Sequence, residues 1–457
     1  MNIAVILAGG KGERLGESVP KQFIKIAGKK IIEHTIDVFE KNKNIDEICV
    51  VINPQYKLYF EEIVLENKWL KVKKVLQGGS ERYFSSLAAI NAYNHLENCN
   101  LIFHDAVRPL VSNKIINDVV SALNKGYNAV DVAIPTSDTI IEVNEDDCIS
   151  KIPYRKFLKR GQTPQAFNIK TIEKAYELFL SSNKESFITD DCGVVLQNLP
   201  HENIYVVDGE ESNMKLTYPE DYYLLEKLFQ IRTSSINLSD NLSDLKDKVI
   251  IIFGGNSGIG HSIAEIAMKN NSKVFIYSRS HNNIDISNIE DVKNAFSNVY
   301  NLTGKIDFVI NTAAILIREP LHSVSEKDII NSININLLGT INIAKVSHSF
   351  LRESKGQLLL FTSSSYTRGR ALYSLYSATK AANVNFAQAI SQEWESDNIK
   401  VNVINPERTK TPMRTKNFGI ESPDSLLSSE EVALKSIEVL LSDINGQVID
   451  IKVKNDK

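Results

Sequence analysis

Cysteine is scarce in this chain of 457 residues: there are four, Cys49, Cys99, Cys148 and Cys192. They are widely spaced, all in the first half, and none forms a CxxC pair, which argues against a zinc ribbon or a redox couple. Apolar runs are also short. None approaches the ~18 apolar residues of a membrane span, and the opening run lacks the basic flank and the length of a signal peptide. Charge of one sign is missing too. The 52 Lys+Arg against 56 Asp+Glu leave a formal net charge of −4, which excludes a global electrostatic attraction to nucleic acid or an anionic membrane. Any phosphate binding must be local. These features predict a soluble, cytoplasmic protein with reduced thiols.

What is present is a repeated alternation. In the first half, short apolar runs at residues 3–7, 47–52, 72–76, 101–104 and 129–134 are separated by helical patterns, which predicts crossover units and a mostly parallel sheet. Ser, Asn and Asp interrupt the pattern at residues 230–248. The predicted division is a first domain at 1–232, a linker at 233–245 and a second domain at 246–457. Strands at 249–253, 273–277, 306–310 and 357–362, with a long helix near 328–352, predict a second doubly wound α/β domain. The expected fold is therefore two Rossmann-like α/β domains with no internal repeat.

Two glycine-rich turns each follow an apolar run and open a helical pattern, the context in which backbone amides bind phosphate. The first is Ala8-Gly9-Gly10-Lys11-Gly12-Glu13-Arg14, followed by Pro20-Lys21-Gln22. Further segments fall where a sheet presents its strand ends: Gly78-Gly79-Ser80-Glu81-Arg82, His104-Asp105-Ala106-Val107-Arg108-Pro109, and Thr163-Pro164-Gln165 after the basic Arg155, Lys156, Lys159 and Arg160. Ile188-Thr189-Asp190-Asp191 and the stretch from Asn213 to Asp221 complete the series. In this order and spacing, over roughly residues 3–227, the set resembles the cytidylyltransferases of the methylerythritol-phosphate type and their ribitol-phosphate relatives.

That chemistry brings a phosphate monoester onto the α-phosphate of CTP, and only aligned cations, amides and a metal can offset the charge. The resemblance implies a nucleotide site formed by Ala8, Gly9, Gly10, Gly12, Gly79, Arg82, Ser86 and Asp105. Arg14 and Lys21 are expected at the α- and β-phosphates, with Lys215 on the opposite side. Asp105 is expected to orient the acceptor or a Mg²⁺ ion, and Arg155, Thr163 and Thr189 to bind the acceptor. The arginine's arm reaches across a dimer in that family, which implies a homodimer.

The second turn is Gly254-Gly255-Asn256-Ser257-Gly258-Ile259-Gly260, a spacing that leaves room for a dinucleotide pyrophosphate at a helix N-terminus. Tyr376 and Lys380 stand four apart, but so do Tyr223 and Lys227, a decoy without further motifs around it. The later pair is accompanied by Asn311-Thr312-Ala313-Ala314, Asn336, serines at 363 to 365 and Asn405-Pro406. From residue 248 to about 453 this set resembles the short-chain dehydrogenase/reductases. On that resemblance Lys380 lowers the pKa of the Tyr376 phenol, Tyr376 acts as general acid, and Ser363 binds the substrate carbonyl, with Ser364 as the near alternative. Asn336 holds a relay water beside Lys380. Cofactor contacts are expected from Gly254, Gly258, Ile259, Gly260, Ser278, Arg279, Asp285, Asn311, Tyr376 and Lys380. Ser278-Arg279 offers a hydroxyl and a cation, which favours NADPH over NADH.

The chain departs from that family at Phe253, usually threonine, and at Glu407, commonly glycine. Only five residues separate Arg279 from Asp285, so the usual intervening helix and strand are expected to be missing. In combination the halves resemble bacterial bifunctional ribulose-5-phosphate reductase/CDP-ribitol pyrophosphorylases. The combination implies reduction of D-ribulose 5-phosphate by NADPH, then coupling of D-ribitol 5-phosphate to CTP, for a capsule or similar surface polysaccharide. The alternatives are a methylerythritol-phosphate cytidylyltransferase with an appended reductase, CDP-arabinitol synthesis from xylulose 5-phosphate, and a non-catalytic second domain. Partners are thus small molecules, without nucleic acid or membrane.

Overall fold

The computed structural model describes residues 1–10, 20–79, 81–181, 189–233 and 242–453. The chain divides into two compact units, Met1–Glu226 and Lys227–Lys457. Of the expected linker, residues 234–241 lie outside the described residues, and Leu242–Leu245 forms a single 3₁₀ turn with Leu245 buried.

In the first unit the strands are β1 (Asn2–Ala8), the short pair β2 (Lys25–Ile26) and β3 (Lys29–Lys30), β4 (Glu47–Ile52), β5 (Val72–Gln77), β6 (Asn100–Asp105), β7 (Ala129–Pro135), the exposed pair β8 (Glu142–Val143) and β9 (Ile149–Lys151), β10 (Lys159–Asn168) and β11 (Ile204–Asp208). Seven form one sheet in the order β11-β7-β10-β6-β1-β4-β5. Only β10 runs antiparallel to its sheet neighbours. The central strands are continuously apolar because both faces are covered. Ile6, Val50 and Ile102 enter one core, and Val5, Val51 and Phe103 enter the other, as the period of two requires. The helices covering the sheet begin on local signals. Ser112, for example, caps Asn113–Asn124 by accepting from the Ile115 N–H at 3.2 Å.

The second unit repeats the scheme with β12 (Val249–Phe253), β13 (Lys273–Tyr277), β14 (Phe308–Asn311), β15 (Gln357–Phe361), β16 (Lys400–Pro406) and β17 (Val448–Ile451). All are parallel, in the order β13-β12-β14-β15-β16-β17. Ile251, Val309 and Leu358 face one core; Ile252, Ile310 and Leu359 face the other. After β13 there is a one-turn helix, Arg279–Asn282, and no strand before Asp285. The expected long helix is interrupted: Glu326–Ile333 passes through a π turn at Asn334–Leu338 into Gly339–Ser354. Such turns commonly mark functional positions.

Candidate active sites

In the first unit the predicted residues gather at the carboxyl ends of β1 and β6, where an α/β sheet presents its crevice. Ala8 ends β1, and its carbonyl accepts from Gln22 Nε2 at 3.0 Å, tying the turn Lys21–Phe23 to the strand end. Gly9 and Gly10 follow directly; Gly12 and Arg14 lie outside the described residues. Lys21 Nζ donates to the Leu216 carbonyl at 3.3 Å, so the Lys21 and Lys215 segments meet.

Asp105 is the hub of this site. Arg82 Nη1 lies 2.6 Å from Oδ1, while Arg108 Nε and Lys215 Nζ lie 3.2 and 3.1 Å from Oδ2. Burial alone would raise the Asp105 carboxyl, but the charges of Arg82, Lys215 and Arg108 outweigh it and hold it well below the usual carboxylate range. Arg82 also reaches Asp191 at 3.3 Å, and Asp191 accepts from the Tyr176 hydroxyl at 2.7 Å. Behind the hub, the Asp105 N–H donates to Thr163 Oγ1 at 3.1 Å, and Thr163 Oγ1 lies 3.0 Å from His104 Nδ1. His104 Nε2 faces the Arg108 carbonyl at 3.1 Å. Burial lowers the His104 pKa to about 4, so the ring is neutral. Because a carbonyl only accepts, Nε2 carries the proton and Thr163 donates to Nδ1. One carboxylate thus holds three cations in a fixed array.

The Thr163 hydroxyl bridges His104 and the Asp105 N–H and so supports the hub. A metal on Asp105 does not fit, since both carboxylate oxygens face cations. Among the described residues no group of three or more His, Cys, Asp or Glu could hold a metal ion. Ser86 is fully buried on the helix Arg82–Tyr93, and Gly79 follows β5. Arg155 is exposed beyond the β8–β9 hairpin, where its Nη1 donates to the Ser137 carbonyl at 3.1 Å. Thr189 is exposed as well, and no hydrogen bond among the described residues joins either to the Asp105 cluster. Sequence reasoning gave no role to Arg108 or Asp191. Asp105-x-x-Arg108 was a readable local signal, whereas the pairing of Arg82 with Asp191, 109 positions away, is tertiary.

In the second unit a cavity of about 660 Å³ runs across the carboxyl ends of the strands, within the size range of small-molecule sites. Gly254, at φ +82°, lies so close to the next strand's loop that a Cβ would stand 2.6 Å from Ala313 N. At Gly260 a Cβ would stand 2.4 Å from Thr312 Oγ1. These approaches hold the turn against the helix Gly258–Lys269, whose N-terminus opens on the cavity beside Gly258 and Ile259. This cradle fits a dinucleotide pyrophosphate. Gly254→Ala is expected to cost the second unit about 1–3 kcal/mol through strain at positive φ and to weaken dinucleotide binding; a thermal melt with and without NADPH measures both.

Ser278 and Arg279 line the same cavity beyond β13. The Ser278 hydroxyl accepts from the His281 N–H at 3.2 Å, and Arg279 lies 4.0 Å from Asp285. Asp285 therefore faces this arginine at the outer end of the cavity. Asn311 is buried, bonded to Thr340 Oγ1 at 3.0 Å and to Ala313 N at 3.1 Å, and shapes the loop from beneath.

Tyr376 and Lys380 project from the helix Ser374–Glu393 into the cavity, with Lys380 Nζ 5.6 Å from the phenol ring centroid. Lys380 Nζ donates to the Phe361 carbonyl at 2.8 Å. The expected lowering of the phenol pKa is not found. Burial, with a smaller contribution from Tyr373, pushes Tyr376 up to about 12, and burial lowers Lys380 to about 8. The phenol is protonated at neutral pH, the state a general acid needs. Ser363 caps the turn Ser364–Tyr366, accepting from the Ser365 N–H at 3.4 Å and the Ser365 hydroxyl at 3.3 Å. Its own O–H can then donate to a carbonyl; Ser364 also lines the cavity. Asn336, in the π turn, braces the loop after β14. Its side chain bonds both backbone groups of Ile315 at 2.8 and 2.9 Å, and its carbonyl accepts from Asn383 at 2.8 Å. The decoy Tyr223 is exposed on the helix Pro219–Thr233.

Residues 2–230 match the 2-C-methyl-D-erythritol 4-phosphate cytidylyltransferase family, and residues 248–420 match the short chain dehydrogenase family. The two halves are thus a nucleotidyltransferase and an oxidoreductase of those classes. Over its full length the chain is 47% identical to the bifunctional ribulose 5-phosphate reductase/CDP-ribitol pyrophosphorylase Bcs1 of Haemophilus influenzae, covering 97% of that protein. The chain belongs to this bifunctional family. Its first half is also 40% identical to the 2-C-methyl-D-erythritol 4-phosphate cytidylyltransferase of Thermobifida fusca (strain YX), over 50% of this chain and 92% of that one. A solved 4-diphosphocytidyl-2C-methyl-D-erythritol synthase from Anaerococcus prevotii shares 29% identity at a TM-score of 0.45, over 50% of this chain and 96% of that chain.

Proposed function

We propose that the second unit reduces D-ribulose 5-phosphate to D-ribitol 5-phosphate with NADPH, and that the first unit couples this product to CTP, giving CDP-ribitol and pyrophosphate. The observation that carries this reading is the full-length likeness to a bifunctional enzyme of that name, supported by the two sites above.

In the reductase site the glycine turn, with Ser278 and Arg279 at its outer end, would hold NADPH, which supplies the hydride when bound. Arg279, largely exposed and 4.0 Å from Asp285, is the cation that a 2′-phosphate would meet. Ser363 donates to the substrate carbonyl and Tyr376 delivers the proton from its hydroxyl as the alkoxide forms. Lys380, with Phe361, fixes the floor of the site. In the transferase site Lys21, Lys215, Arg82 and the undescribed Arg14 offset the charge of the triphosphate and the entering phosphate. Asp105 keeps three of the cations in register. Any Mg²⁺ would be carried by the triphosphate, without a ligand from Asp105.

Arg155 lies beside an arm whose Tyr154 and Phe157 are 71% and 77% exposed. Such an apolar surface supports a homodimer in which the arm is covered and Arg155 and Thr189 meet the acceptor's phosphate. Among the described residues no helix is long and apolar enough to cross a membrane. We place the reactions in the cytoplasm, where CTP and NADPH are supplied, and the product in assembly of a surface polysaccharide.

A CTP-dependent pyrophosphate assay with ribitol 5-phosphate, arabinitol 5-phosphate and methylerythritol phosphate tests the acceptor. Release should be at least about tenfold more efficient, or ~1.4 kcal/mol, with ribitol 5-phosphate. Preference for the branched acceptor would overturn the reading.

A further inference from the structure

The cavity of the second unit holds more positive charge than a dinucleotide and a ketone require. Four arginines, Arg279, Arg370, Arg408 and Arg414, line it. Two are engaged by carboxylates: Arg279 faces Asp285, and Arg414 makes a two-pronged pair with Glu421 at 2.7 and 2.8 Å. Among the described residues the guanidinium groups of Arg370 and Arg408 make no hydrogen bond or ion pair. Arg370 is bonded only through its backbone N–H, to Ser377 Oγ at 3.3 Å, and Arg408 contributes its field at Glu421 without pairing with it. The remaining acid of this wall, Glu407, accepts from the Val453 N–H at 2.9 Å.

Their placement assigns them to the substrate end. The bond to Ser377 sets Arg370 against the first turn of the helix that carries Tyr376. In the β15–β16 register Phe361 lies opposite Ile404, so Pro406 is level with Ser363 and Arg408 stands two residues beyond. Arg279 follows β13, at the other end of the order β13-β12-β14-β15-β16. The ends of β13 and β16 are four strand spacings, roughly 19 Å, apart. The loop after Arg408 returns toward the glycine turn, where a Cβ at Gly258 would stand 3.3 Å from Thr411; the KM for NADPH therefore separates a substrate role from a cofactor role.

We propose that Arg370 and Arg408 form the phosphate-binding subsite of the reductase and make it select a phosphorylated sugar. The inference rests on the proposed reduction of ribulose 5-phosphate. That substrate carries its phosphate three carbons beyond the carbonyl, which places the anion past Ser363 and Tyr376 when the carbonyl is held by them. Two planar guanidiniums match the oxygens of a phosphate dianion and replace its lost hydration.

The test uses the full chain as wild type, Arg370→Ala, Arg408→Ala, the double variant and Arg368→Ala, an exposed arginine of the same loop that does not line the cavity. NADPH oxidation is followed with ribulose 5-phosphate and with unphosphorylated ribulose. Each single change is expected to lower kcat/KM for ribulose 5-phosphate by about tenfold or more, and the double change by about 10²–10³-fold, mainly through KM. Turnover of ribulose, the KM for NADPH and Arg368→Ala should stay within about threefold of wild type. Equal losses with both sugars, a parallel rise in the KM for NADPH, or an unchanged kcat/KM for ribulose 5-phosphate would overturn the assignment alone. A wild type without preference for the phosphorylated sugar would overturn the proposed reaction and the assignment together. CTP-dependent pyrophosphate release by each variant separates these outcomes from loss of the whole protein.

Discussion

Tyr376→Phe lowers ketose reduction by about 10²–10⁴-fold, the range for loss of a positioned general acid, and leaves CTP-dependent pyrophosphate release intact. The change removes one hydroxyl from a partly buried ring, so the apolar body that packs in the cavity is retained. Because burial holds this phenol up near 12, it is the protonated partner at neutral pH, and its loss removes the proton and not a charge. The affinity for NADPH should change little, since the glycine turn that follows β12 is untouched and the substitution keeps the ring of residue 376. Steady-state oxidation of NADPH, with pyrophosphate release measured on the same preparation, checks the result. Unchanged reductase turnover would make the second unit's tyrosine a structural residue and remove the basis for assigning it the chemistry.

Lys21→Ala has the complementary effect. The lysine meets the Lys215 segment through the Leu216 carbonyl, beside the three cations that Asp105 gathers. Removing one preorganised cation from a site where two anions must meet is expected to cost about 10²–10³-fold in pyrophosphate release. Ketose reduction should be unchanged, and the thermal melt should be close to wild type because Lys21 is partly exposed. The measurement is CTP turnover with saturating ribitol 5-phosphate. A loss confined to the KM for CTP would show that Lys21 binds the ground state and the transition state equally.

Much of the architecture was legible from local patterns. The apolar runs at 47–52, 249–253 and 273–277 became β4, β12 and β13 with the expected ends, since a strand covered on both faces has few polar interruptions. Other strands were not marked in this way. β10 contains Gly161 and Pro164 and begins with Lys159 and Arg160, and its pairing between β6 and β7 is decided by the sheet rather than by its composition. The short segment after Arg279 was read correctly as lacking a strand, because too few residues remain before Asp285.

The sites divide along the same line. Tyr376, Lys380 and Ser363 line one cavity, as their spacing on one helix and a neighbouring strand end suggested. What spacing could not supply was the balance of burial against charge at Tyr376, or the side-chain bonds that turn Asn336 and Thr163 into braces. The hub at Asp105 shows the limit most clearly. Arg82, Arg108 and Lys215 come from three segments, and only the i, i+3 pair with Arg108 is visible along the chain.

The most direct measurement follows NADPH oxidation by the purified full chain with ribulose 5-phosphate, then adds CTP and follows pyrophosphate. Stoichiometric oxidation of NADPH with ribulose 5-phosphate, followed by release of one pyrophosphate per ribitol 5-phosphate formed, is the predicted result. Oxidation absent with every pentulose phosphate, with pyrophosphate released only from methylerythritol phosphate, would contradict the two-step reaction.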